Sequence, residues 1–159
     1  MQRIFQLWVL DDNAANLAMI ERSLPDPVRS SINVRFFDDA KAFLSAFEQC
    51  CRSPQESPPD FVLLDFFLGY TYGSAVLDCM SRTSEEVGAV PPVIIAHSSM
   101  PEASSSLVER GADFALAKEK GQPTSPPITA TFASLEAIEY IRRHRRPMPL
   151  DRKRSRESI

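Results

Sequence analysis

Ile4-Phe5-Gln6-Leu7-Trp8-Val9-Leu10, a largely apolar run, ends on two adjacent carboxylates, Asp11 and Asp12, and a second run, Phe61-Val62-Leu63-Leu64, ends on Asp65. Near-continuous apolar strands are buried on both faces, as in parallel sheets covered by helices. An acid just past the C-terminal end of each strand then sits in the crevice where open α/β sheets place ligands. Taken singly, each acid reads as an ordinary loop residue at a strand end. Gathered in one crevice, three carboxylates repel one another unless a cation compensates them, and hard oxygen donors of this kind suit Mg²⁺, with Mn²⁺ as a second candidate.

The rest of the chain supplies that sheet, because strand-like and helix-like segments alternate five times, the pattern of a parallel α/β architecture. Ile4–Leu10 is followed by a helix over about Ala14–Leu24, with Leu17, Ile20 and Leu24 at helical spacing before Pro25 stops it. Ile32–Phe37 leads into a helix over about Asp39–Cys51 with Phe43, Ala46 and Phe47 on one face. The Pro- and Ser-rich stretch 53–59 reads as a surface connection into a third strand, Phe61–Phe66. Gly73 opens a helix whose expected inner face is Ala75, Val76, Cys79 and Met80, and Val93–Ala96 is the fourth strand, leaving through His97-Ser98-Ser99. Ser99-Met100-Pro101-Glu102 reads as a Ser-x-x-Glu capping box with proline in the first turn. Phe114–Ala117 makes a short fifth strand ending at Lys118, and a last helix over about Thr131–Arg145 buries Phe132, Leu135, Ile138 and Ile141.

At 159 residues, 43% of them hydrophobic, the chain suits one globular domain with a sizeable core. Its N-terminal apolar stretch is too short to span a membrane and lacks a small-residue cleavage site, so a cytoplasmic protein without a removed leader is expected. Cys50, Cys51 and Cys79 fall in helices and read as reduced, packed thiols rather than a disulfide frame. Charge is unevenly spread: residues 1–140 carry 10 Lys and Arg against 19 Asp and Glu, whereas 141–159 carry 8 against 2. That basic end could meet a polyanion, but Pro147 and Pro149 break any helix and no nucleic-acid-reading module follows. A domain over 1–146 with a solvated, disordered tail over 147–159 is therefore expected, with nucleic acid reached only through that tail.

The strand ends offer the parts of one reaction. A carboxylate can attack a phosphoryl group when a metal neutralises its oxygens and cationic or hydroxyl groups hold the others. Asp65 is the candidate nucleophile, Asp11 and Asp12 the metal anchors, Lys118 the cationic clamp and Ser98 a donor to the phosphoryl oxygen. His97 and His144 have no partners at metal-ligand spacing.

With these residues in place the sequence resembles the receiver domain of two-component response regulators, over about residues 3–145. The resemblance rests on Leu10-Asp11-Asp12-Asn13, on Val62-Leu63-Leu64-Asp65 with Gly73 beyond it, on Pro92-Val93-Ile94-Ile95 leading to hydroxyls, and on Gly111-Ala112-Asp113 with Lys118. It implies a doubly wound, flavodoxin-like five-stranded parallel sheet, phosphorylation on Asp65, and Mg²⁺ held by Asp11, Asp12, Asp65 and the backbone carbonyl of Phe67. It also implies a sensor histidine kinase or histidine phosphotransfer protein as phosphoryl donor, a downstream protein as target, and homodimerisation through the last helices as one route of output. No membrane partner is expected.

The departures from the family pattern concern mechanism. Gly69 stands where receivers carry a proline, which would loosen that loop, and Glu119 follows Lys118 where a proline, often cis, is usual. Ala115 replaces the aromatic that in the family moves inward on activation, so signalling through the loops around Phe66, Phe67, Tyr70 and Tyr72 is expected instead. For the hydroxyl, counting from Pro92 reaches His97, but residue type favours Ser98, with Ser99 as the helix cap. Two alternatives stay open: a pseudo-receiver that binds partners without phosphorylation, and a small Mg²⁺-dependent phosphohydrolase, which would usually carry an acid where Phe67 stands.

Overall fold

The structure, a computed structural model, describes residues 3–117 and 134–143. Five strands, β1 (Phe5–Leu10), β2 (Ile32–Phe37), β3 (Phe61–Leu64), β4 (Val93–Ser98) and β5 (Phe114–Ala117), form one sheet in the order β2-β1-β3-β4-β5, every neighbouring pair parallel. Helices α1 (Ala14–Ser23), α2 (Asp26–Arg29), α3 (Ala40–Arg52), α4 (Gly73–Val87), α5 (Pro101–Glu109) and α6 (Leu135–Arg143) complete it.

Side chains alternate across a strand, so each apolar run feeds two cores. Phe5, Leu7 and Val9 of β1, Phe61 and Leu63 of β3, and Val93 and Ile95 of β4 pack with Leu17 and Ile20 of α1, Val28 of α2 and Ile138 of α6. Trp8, Leu10, Val62, Leu64, Ile94 and Ala96 pack on the opposite face with Phe43 and Phe47 of α3, Val76, Leu77 and Met80 of α4, and Leu107 of α5. The expected doubly wound, flavodoxin-like sheet is therefore present. Trp8 is held by Phe37 and Phe43 at centroid distances of 5.2 and 5.8 Å, with the Arg35 guanidinium over its ring at 5.1 Å.

Local chemistry sets the helix boundaries. The Asn13 side chain accepts from the Ala15 N–H and the Asp39 carboxylate from the Ala42 N–H, capping α1 and α3. Pro25 does end α1, but it then opens the unexpected single turn α2. From there the Arg29 guanidinium donates to the Glu21, Arg22 and Leu24 carbonyls at the end of α1, the first of which also accepts the Leu24 N–H. The inner face of α4 is Val76, Leu77 and Met80, with Cys79 half-buried; Ala75 is exposed, correcting its expected place, because the helix turns Leu77 toward β3 and α3. β3 stops at Leu64 rather than Phe66, and β4 runs on past Ala96 through His97 and Ser98, both buried. The capping box is not formed: Met100, not Ser99, is the N-cap of α5, no side chain caps that helix, and the Met100 N–H donates to the Ser98 hydroxyl oxygen.

The cysteines are free thiols. Burial, and then the Glu56 carboxylate, pushes the Cys50 thiol up, and burial does the same to Cys51, so both stay protonated at neutral pH.

Buried Asp113, in the turn before β5, accepts from the Ile94 N–H at 2.9 Å while its own N–H donates to the Ile94 carbonyl at 2.8 Å. Asp113→Ala strands the Ile94 donor inside the protein, and a loss of about 2–3 kcal/mol is expected in urea denaturation. An unchanged midpoint would show that water replaces the carboxylate.

Candidate functional site

The ladder that builds the sheet also carries the acids to one level. β1 and β3 pair Leu10 with Leu64, and β3 and β4 pair Leu64 with Ala96, so the next positions, Asp11, Asp65 and His97, stand side by side on three adjacent strands. The Asp11 N–H donates to the Phe37 carbonyl at 3.0 Å and the Asp65 N–H to the Leu10 carbonyl at 3.1 Å, extending the pairing past the last strand residues. By alternation all three side chains leave the same face, one step beyond Val9, Leu63 and Ile95.

Asp11 is only 1% exposed and Asp65 8%, whereas Asp12 faces solvent. Asp11 accepts from the Asn13 N–H at 2.9 Å and from the Asn16 side-chain amide at 3.5 Å, and Asp65 accepts from the Phe66 N–H at 2.8 Å. Carboxylate oxygens of Asp11, Asp12 and Asp65 all lie within 4.8 Å of one another. Three hard donors at that spacing, fixed from below by a rigid sheet, fit a small divalent cation. Asp38, exposed just past the end of β2, is level with Asp11 in the strand register but is outside that group of three. The strand-end rule that picked out Asp11 and Asp65 would have found it, had β2 read as a fully buried run.

After Asp65 the chain folds into a closed loop. Phe67 and Tyr72 form an antiparallel bridge, the Leu68 N–H donates to the Thr71 carbonyl at 3.1 Å, and Gly69 turns between them at φ +73°. Proline cannot adopt that angle, so glycine at this position allows a reverse turn and does not simply slacken the loop. Leu68 is buried in the α3/α4/α5 core, while the rings of Phe66, Phe67 and Tyr72 pack on one another at 5.0–6.1 Å and Tyr70 is fully exposed. The loop closes at Gly73, whose N–H donates to the Phe66 carbonyl at 2.6 Å.

The sequence-expected groups thus divide. Asp11, Asp12 and Asp65 come together, and Phe67 follows in the bridged loop. Ser98 lies one residue beyond the level of Asp65, on the opposite side of β4, with its hydroxyl oxygen accepting from the Met100 N–H at 3.2 Å. Lys118, Glu119, Phe132, His144 and the tail 147–159 lie outside the described residues. Ala115 is exposed on the edge strand opposite Ala96.

No protein-family model matches the sequence, and no curated protein does. Solved structures do match. The response regulator domain of Thermotoga maritima CheB is similar at 17% identity and a TM-score of 0.60, over 89% of this chain and 96% of that one. The receiver domain of the histidine kinase CKI1 from Arabidopsis thaliana, complexed with Mg²⁺ and BeF₃⁻, is 18% identical with a TM-score of 0.62, over 87% and 92%. The phosphorylated cyanobacterial phytochrome response regulator RcpA is 18% identical with a TM-score of 0.60, over 92% and 99%. With its strand order, its helices on both faces and these neighbours, the chain has the fold of response regulator receiver domains.

Proposed function

We propose that the chain is a phosphoacceptor signalling protein of a two-component or phosphorelay system, working by contact with other proteins rather than by turnover of a substrate. The carrying observation is the trio of carboxylates within 4.8 Å at the C-terminal edge of the sheet, with Asp65 just past the end of β3. In the reaction, a carboxylate oxygen of Asp65 forms a bond to phosphorus as the P–N bond to the imidazole of a histidine kinase or phosphotransfer protein breaks, the imidazole leaving with the electron pair. Mg²⁺, or Mn²⁺, would be held by Asp11, Asp12, Asp65 and the Phe67 carbonyl, and when bound supplies the positive charge that offsets the phosphoryl oxygens. Asn13 and Asn16 orient Asp11 for that role, and Lys118 is the proposed cationic partner of the phosphorylated state. Two of the similar structures support the reading in their own right, one being a complex with Mg²⁺ and BeF₃⁻ and the other a phosphorylated protein.

The output is a downstream protein, or a second copy of the chain through its last helices. Among the described residues no helix is long and apolar enough to cross a membrane, and a cytoplasmic location is the proposal that goes with this partner set. Contact with nucleic acid is reserved for the basic tail. The second reading, a pseudo-receiver that binds partners without phosphorylation, is favoured by Ala115, which leaves β5 without the ring that the family's switch moves.

Incubation with acetyl phosphate and Mg²⁺, followed by intact mass, separates the two. One labile phosphoryl group, absent from Asp65→Asn, is the expected result; a wild-type chain that takes none and binds no Mg²⁺ supports the pseudo-receiver.

A further inference from the structure

Two neighbouring residues of β4 offer polar side chains near the phosphoacceptor, and strand register distinguishes them. With Leu64 opposite Ala96, the residue level with Asp65 is His97, and partners level with each other in a parallel ladder project from the same face of the sheet. Ser98 projects from the other face and its hydroxyl receives the first free N–H before α5. His97 is 4% exposed, close under the edge that holds Asp11 and Asp65, so its ring is kept from bulk water where a group carried on Asp65 would meet it.

From this row of three we infer that His97, not Ser98, is the β4 group that touches the phosphoryl moiety on Asp65, its ring N–H donating to a phosphoryl oxygen. The inference rests on the phosphoacceptor reading above. An imidazole in its neutral form carries one N–H donor, and a donor aimed from a water-poor site at anionic oxygens is stronger than a neutral pair in water. No proton moves in the step: the Asp65 oxygen gains its bond to phosphorus, the leaving group departs with the electron pair, and the imidazole N–H shifts only its hydrogen bond. Because the donor is a planar ring on a buried strand, its contact is set by the backbone of β4 and not by rotation of a small hydroxyl. An imidazole in this row therefore fits a chain in which Ala115, the β5 residue level with Ala96, has no ring to follow a swinging hydroxyl.

The test is the rate of phosphoryl uptake from acetyl phosphate with Mg²⁺, read by intact mass on the full chain. Loss of a preorganised donor makes His97→Ala slower by roughly 10- to 100-fold. His97→Gln, which keeps an N–H donor, is expected to recover most of the rate, and Ser98→Ala to lose less than His97→Ala. Should alanine prevent folding, His97→Leu fills the space without a donor and is compared with His97→Gln at matched stability. Equal rates for the donor-less variant and the wild type, or a larger loss in Ser98→Ala, overturn the assignment of His97 while leaving Asp65 as acceptor. A wild-type chain that takes no phosphoryl group removes the phosphoacceptor reading, and this inference with it.

Discussion

Gly73→Ala is expected to lower stability by about 3 kcal/mol or more, and to displace Asp65 as it does so. A Cβ built on Gly73 would overlap the Asp65 carbonyl oxygen and come within 3.1 Å of the Phe66 Cα. Both obstacles are backbone, which cannot rotate away as a side chain can. Gly73 is also tied down by its N–H bond to the Phe66 carbonyl and by its place in the first turn of α4, so relief requires the helix or the Asp65 strand end to move. Overpacking of this kind, between a helix start and a strand end, has few soft directions. Urea denaturation would measure the first effect, and the stoichiometry of Mg²⁺ binding by calorimetry the second. A variant as stable as the wild type with an unaltered Mg²⁺ site would show that the crossing has slack.

Asp11→Asn should act in opposite directions with and without metal. The substitution keeps the shape and leaves an oxygen to accept the Asn13 N–H, but it removes one of three negative charges whose oxygens lie within 4.8 Å. Without Mg²⁺, relief of that repulsion is expected to raise stability, on the order of 1–2 kcal/mol once the solvent exposure of Asp12 is allowed for. With Mg²⁺, the loss of a buried anionic ligand should weaken binding on the order of 100-fold. The thermal midpoint of the wild type should therefore rise with added Mg²⁺ while that of Asp11→Asn stays flat from a higher starting value. A midpoint that climbs equally in both proteins would place the cation elsewhere.

Most of the architecture was legible because β1 and β3 are apolar runs closed by acids, and buried parallel strands leave that signature. The same rule worked less well where polar residues are buried. His97 and Ser98 belong to β4 although neither looks like a core residue, so the strand read as ending early and the hydroxyl cluster as a loop. The capping box fails with it: the helix starts one residue later than the box requires, with Met100 and not Ser99 at its N-cap. α2 was hidden behind Pro25, which read as a stop, although proline is well tolerated at the first positions of a helical turn, where Pro27 stands. The inner face of α4 slipped by rotation: Gly73, Val76, Leu77, Met80 and Ser84 form the buried i, i+3, i+4, i+7, i+11 stripe, which leaves Ala75 outside. Of the site, the carboxylates could be found from strand ends alone, while the choice between His97 and Ser98 could not. Neighbouring residues on a strand differ by one step in sequence and by opposite faces in space, and only pairing with β3 says which face is which.

Trp8 has an optical consequence. It is the one tryptophan of the chain, buried three residues before Asp11 on β1 and stacked beneath Arg35 among Phe37 and Phe43. Light absorbed at the red edge of the protein's spectrum therefore excites a single indole, and its emission reports on the strand that leads to Asp11 and Asp12. A shift in that emission would follow ligand arrival or unfolding without a label, and the basic tail, which has no tryptophan of its own, would be a silent bystander unless it came to rest near that ring.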